Sequence, residues 1–148
     1  MVDRAKGWRW LGRIGLGAIA LLVAIQLVPY GRDHTNPPVV VEPAWDSPRT
    51  RQLAAAACFD CHSNETTWPW YSNIAPISWK IQSGVESGRD EVNYSEFDPA
   101  EEHFAESAET VRDGEMPPGD YLLLHPDARL SDAEEQELID GLVATFGG

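Results

Sequence analysis

From Trp10 to Tyr30 the chain is apolar apart from Arg13 and Gln26. As a helix, those 21 residues span about 31 Å, the thickness of a hydrocarbon core. Trp8, Trp10 and Tyr30 fall at the two ends of the run, where amphipathic rings prefer to sit, and Arg13 is near enough to an edge to snorkel. Beyond Tyr30 the apolar positions recur at helical spacing only. Ser47-Pro48 reads as a cap and first turn, followed by Leu53, Ala54, Ala57, Cys58 and Cys61. A second helix is predicted from Pro76 to about Val92, with Ile77, Ile81 and Val85 one turn apart and Gly84 and Gly88 also four apart. Asp98-Pro99 opens a third, striped by Ala100, Phe104, Ala108 and Val111 and ended by Gly114. Ser131 and Glu134 form a capping box for a fourth, with Leu138, Ile139, Leu142, Val143 and Phe146 on one side and Gly147 at its end.

No run alternates with strand period. The fold class expected is all-α, a small domain of about four helices after one N-terminal transmembrane helix. The division follows: residues 1–30 as a cytoplasmic stub and anchor, 31–46 as an extended tether with three prolines, and 47–148 as the folded domain.

Charge sharpens this division. Residues 1–30 carry a net +3 and residues 31–148 a net −16. The basic residues ahead of the apolar run place the N-terminus in the cytoplasm and the rest outside the inner membrane. A cleaved secretory signal is the competing reading, with cleavage near Ala24, but Gln26–Tyr30 offers no small residues for it. An acidic exported part excludes nucleic acid as a partner, since that binding needs Lys and Arg against phosphate, and suits a cationic one.

The only two cysteines stand in Cys58-Phe59-Asp60-Cys61-His62. Cys-x-x-Cys-His is the attachment signature of a c-type haem. On one helical turn, positions i, i+3 and i+4 share a side, so two sulfurs can grip the vinyl edge of a porphyrin while the imidazole reaches its iron. A thioredoxin-like redox pair, half of a zinc site and a structural disulfide are the alternatives. No βαβ pattern accompanies the first and no second Cys/His cluster the second. The motif therefore predicts one covalently attached haem c, with His62 as an iron ligand. Cytochrome maturation in bacteria works outside the inner membrane, in agreement with the predicted export.

Met116 is the one methionine besides Met1. It lies in Gly114-Glu115-Met116-Pro117-Pro118-Gly119, a loop that proline and glycine stiffen, and a thioether is a soft iron ligand. It is the first candidate for the sixth position. His125 and His103 compete with it, as does an open site, and a gap-filling core role is the bland alternative. His34 reads as a bystander in the tether. After the motif, Trp68, Trp70 and Tyr71 crowd a turn-rich loop, as walls of the haem pocket or as ordinary packing.

This order of elements resembles a small monohaem cytochrome c. More closely, Asn36-Pro37-Pro38, Cys58 to Glu65, Trp68-Pro69-Trp70-Tyr71-Ser72-Asn73-Ile74-Ala75-Pro76, Gly88-Arg89, Met116-Pro117-Pro118 and His125-Pro126 resemble the bacterial haem-binding domain family over roughly residues 30–147. The resemblance implies covalent haem on Cys58 and Cys61, ligation by His62 and a single N-terminal anchor. The function expected is a membrane-anchored periplasmic carrier of electrons, meeting a periplasmic or membrane redox partner, and not an enzyme. A haem-based sensor or gas-binding module is the alternative, and a peroxidase a more distant one that requires a vacant iron flanked by an acid/base group such as His103 or His125.

Overall fold

The computed structural model describes residues 4–147, which hold six α-helices and no β-strand. They are α1 (Arg4–Ile25), α2 (Pro48–Ala57), α3 (Phe59–His62), α4 (Ile77–Glu91), α5 (His103–Arg112) and α6 (Asp132–Phe146). Three single 3₁₀ turns lie at Trp70–Asn73, Tyr121–Leu123 and Pro126–Ala128. The residues fall into two compact units, one made of the chain up to His34 with Pro69–Ser83, the other of Thr35–Trp68 with the chain from Gly84 onward. Helix α4 begins in the first and ends in the second.

In the first unit, Gly7–Ile25 of α1 is long and apolar enough to cross a membrane. At 1.5 Å per residue its 19 residues reach about 29 Å. The helix stops at Ile25, short of the predicted Tyr30. There the Gln26 side-chain amide donates to Ala75 O (2.9 Å) and accepts from Ala75 N (3.0 Å). Past it, Gly31 adopts φ +81°, and a Cβ there would lie 2.6 Å from the Ser78 backbone. His34 Nε2 sits 3.2 Å from Ser72 O. Segment 26–34 is thus folded back on segment 72–78.

The second unit is built around α6. Its capping box is present, with Glu134 N donating to Ser131 Oγ and the Glu134 carboxylate accepting from Ser131 N. Leu138, Ile139 and Leu142 are buried against α2 and α5. Close approach to α2 requires Gly141, where a Cβ would fall 2.2 Å from Thr50 Oγ1. An aromatic cluster completes the core. Tyr94 is its hub, with ring centroids 5.3 Å from Trp45, 5.8 Å from Phe59, 5.9 Å from Phe104 and 6.0 Å from Phe146.

Residues 35–46 are extended, as their prolines require, yet pinned along the domain. Val40 N and Val41 N donate to Ser95 O (2.9 and 3.1 Å), Phe97 N donates to Val41 O (3.0 Å), and Trp45 enters the core. Arg51 clamps the strap to α2 by a two-pronged contact with Glu42 (both 2.7 Å), which holds that carboxyl below its usual range.

Helix α5 starts at His103 and not at Asp98-Pro99. The Asp98 carboxylate accepts from Ala100 N (2.9 Å) and its carbonyl from Glu101 N (3.1 Å), closing a local turn that competes with a helix start.

Candidate functional site

Cys58 ends α2 and begins α3. Its N–H donates to Ala54 O (2.8 Å), the last rung of α2, and its carbonyl accepts from Cys61 N (3.1 Å) and His62 N (2.9 Å), the first rungs of α3. Both thiols and the imidazole therefore leave one tight turn, on which i, i+3 and i+4 are neighbours.

The turn is held from behind. Helix α4 presses on it so closely that a Cβ on Gly88 would lie 2.6 Å from Cys61 O and 2.9 Å from Cys61 C. Next to it, the Arg89 guanidinium donates to Ser63 O (2.8 Å), Thr66 Oγ1 (3.0 Å) and Asn36 Oδ1 (3.1 Å), fixing the loop that follows His62. Asp60, inside the motif, accepts from Thr67 N and from the Tyr121 hydroxyl, each at 2.8 Å. Tyr94 N donates to His62 O (2.8 Å), joining the turn to the aromatic core.

In front of the turn opens a cavity of about 440 Å³, within the usual range of cofactor sites. Cys58, Cys61, His62 and Met116 all stand on its wall. Met116 is placed by its loop: Glu115 N and Met116 N both donate to Thr110 O (3.0 and 3.1 Å), after Gly114 turns the chain with φ +71°. Tyr94, Val92, Val111, Pro118 and Tyr121 also line it. His103 is on the wall too, exposed, with Nδ1 3.0 Å from Glu91 and 3.6 Å from Glu106. His125 is not. It stacks on Tyr121 (3.8 Å, 10°) and its Nδ1 lies 2.8 Å from Tyr121 O, bracing that ring. Trp68, Trp70 and Tyr71 are absent from the wall; the aromatic faces of the cavity are Tyr94 and Tyr121.

The state of His62 suits an occupant bearing a metal. His62 Nδ1 is 3.1 Å from Val92 O. A carbonyl only accepts, so Nδ1 carries the proton and Nε2 keeps the lone pair that a metal needs. Burial holds this imidazole below its ordinary range, in its neutral form. Burial also pushes the Cys58 thiol up to about 12, and raises Cys61 with help from the Asp60 charge. Cys58 and Cys61 are not joined in a disulfide. Gly84 lines the cavity, and a Cβ there would meet no atom within 4 Å. Two thiols, a metal-ready imidazole, a thioether and an apolar slot fit a haem.

An all-helical domain with these donors around one slot defines a haem-binding protein. The chain matches the haem-binding domain family over residues 20–144 and belongs to it. No curated protein and no solved structure matches it.

Four residues that shape the site carry no strong sequence signal. Asp60 and Arg89 stand in blocks that carry the family resemblance but with no role attached to either, and Tyr94 and Tyr121 lie outside the predicted helices. The hydrogen bonds to Ser63, Thr67, Asp60 and His62 disclose their roles.

Proposed function

We propose that the chain carries one haem c, thioether-linked to Cys58 and Cys61, whose iron His62 Nε2 and Met116 Sδ would hold, and passes single electrons on the periplasmic side of the inner membrane. The observation that carries this reading is the meeting of all four side chains on the wall of one apolar cavity. When bound, the group supplies a metal that alternates between two oxidation states one electron apart. The protein's share is positional. Val92 O orients the imidazole, Arg89 and Asp60 hold the attachment turn rigid, the Met116 loop is tied to α5, and Tyr94 and Tyr121 keep water from the slot. Such rigidity suits electron transfer, in which the ligand set stays the same in both states. The acidic exported part favours a redox partner with a basic docking face.

Absorption spectroscopy of the full chain, matured in the periplasm, tests the ligand set. A six-coordinate, low-spin spectrum is expected in both redox states, without binding of carbon monoxide by the reduced protein. Met116→Ala is expected to open the site to carbon monoxide, and Met116→His to lower the potential, because Met/His ligation raises it. Rapid carbon monoxide binding at full occupancy by the native protein would instead favour a gas-binding module.

A further inference from the structure

The aromatic loop that does not wall the cavity has a surface of its own in the first unit. Trp70 is 77% exposed, Ile74 42% and Ile77 47%, a concentration of large apolar groups rarely left in water. Trp70 lies edge-on to Tyr71 (5.7 Å, 80°), so the exposed indole has one ring neighbour and otherwise faces out.

The position of the loop follows from α1. The apolar helix ends at Ile25, and the next residue, Gln26, is bonded through both ends of its side-chain amide to the backbone of Ala75. Gly31 against Ser78 and His34 against Ser72 repeat the attachment. If Gly7–Ile25 spans the hydrocarbon core, Gln26 emerges at the headgroup level, and Ala75 with it. Trp70, Ile74 and Ile77 are then held within a few residues of that level. Indole rings with one apolar and one polar side favour this zone over either water or hydrocarbon.

We propose that the loop Pro69–Ile77 is a membrane-interface anchor, inserting Trp70, Ile74 and Ile77 among the headgroups of the bilayer that α1 crosses. This rests on the reading of α1 as a transmembrane helix. The occupant is lipid because the exposed loop is continuous with the fully exposed apolar helix, whose own surface requires lipid. Its consequence is that segment 69–83 is held at the membrane by a second contact besides the helix, in place of swinging on a single tether.

The full-length chain in phosphatidylcholine nanodiscs, with and without dibrominated acyl chains, provides the test. Five other tryptophans contribute to the emission, so the readout is the difference between native protein and Trp70→Phe. The Trp70 component is expected to be blue-shifted and to lose most of its intensity in brominated lipid. Trp70→Glu is expected to remain in the membrane pellet at alkaline pH yet exchange its amides at 70–77 faster than the native chain. A Trp70 component with the emission of water and no quenching overturns the proposal. Cross-linking between copies through position 70 in place of quenching would assign the face to a second chain and overturn it equally. A chain lost from the alkaline pellet would refute the transmembrane reading itself, separately from the loop.

Discussion

Gly88→Ala is expected to yield a chain with little or no covalently held haem. The new methyl carbon would lie 2.6 Å from Cys61 O and 2.9 Å from Cys61 C. Both are backbone atoms in a hydrogen-bonded turn, so neither can rotate aside, and either α4 or the attachment turn must move. Overpacking of this kind costs about 1–3 kcal/mol, but its effect on the site is larger than on the fold. A shift of Cys61 carries His62 and the Tyr94 N–H bond with it. Gly84→Ala, one turn earlier, is the informative contrast. Its methyl group meets no protein atom within 4 Å, and replacing a helical glycine by alanine gains up to about 1 kcal/mol. Because Gly84 lines the cavity, that variant is expected to be at least as stable without haem while taking up less of it. Urea unfolding of the haem-free chain, set beside Soret absorbance per mole of matured protein, separates the two outcomes. Equal haem content in Gly88→Ala and native protein would show that α4 does not hold the turn.

The second large effect is expected at Tyr94. Its ring is 3% exposed and touches Trp45, Phe59, Phe104 and Phe146, while its backbone binds His62 and its hydroxyl donates to Ser107 Oγ at 3.2 Å. Removing such an aromatic side chain costs about 3–5 kcal/mol. That is a large share of the about 5–15 kcal/mol that holds a typical domain together. Tyr94→Ala is therefore expected to unfold near ambient temperature. Tyr94→Phe loses only the Ser107 hydrogen bond, about 1 kcal/mol, and keeps the cavity wall. Thermal unfolding by circular dichroism distinguishes them. If Tyr94→Ala melts within a few degrees of the native protein, the aromatic cluster is not the centre of this core.

What the sequence discloses and what it hides divide along physical lines. Periodicity and caps place the start of α2 and both ends of α4 and α6 within a residue or two of where they lie, because Ser47-Pro48, Pro76 and the Ser131–Glu134 box are local signals, whereas the one helix expected through Cys61 breaks at Cys58 into α2 and α3. The start of α5 is misplaced because Asp98-Pro99 serves a turn as readily as a helix, and nothing local decides between them. Cys58, Cys61 and His62 are legible as one group because their spacing puts them on one turn, and they do share one cavity wall. Met116 is legible because the chain holds so little sulfur. The rest of the site is not, since Tyr94 and Tyr121 on its wall, and Asp60 and Arg89 bracing the turn behind it, act through contacts between residues far apart in sequence. The aromatic loop misleads for a related reason. Three rings in four positions announce a surface to be buried, but composition does not say whether that surface is haem, core or lipid. For Trp70, Ile74 and Ile77 the occupant proposed above is lipid, argued from the hydrogen bonds between Gln26 and Ala75.

The account depends most on covalent attachment through Cys58 and Cys61. Intact-mass measurement of the full chain under denaturing conditions, after maturation in the periplasm and extraction with acidified acetone, addresses it most directly. The native protein is expected to retain the added mass of one haem, and Cys58→Ala with Cys61→Ala to retain none. Native protein whose mass matches the bare polypeptide would contradict the account.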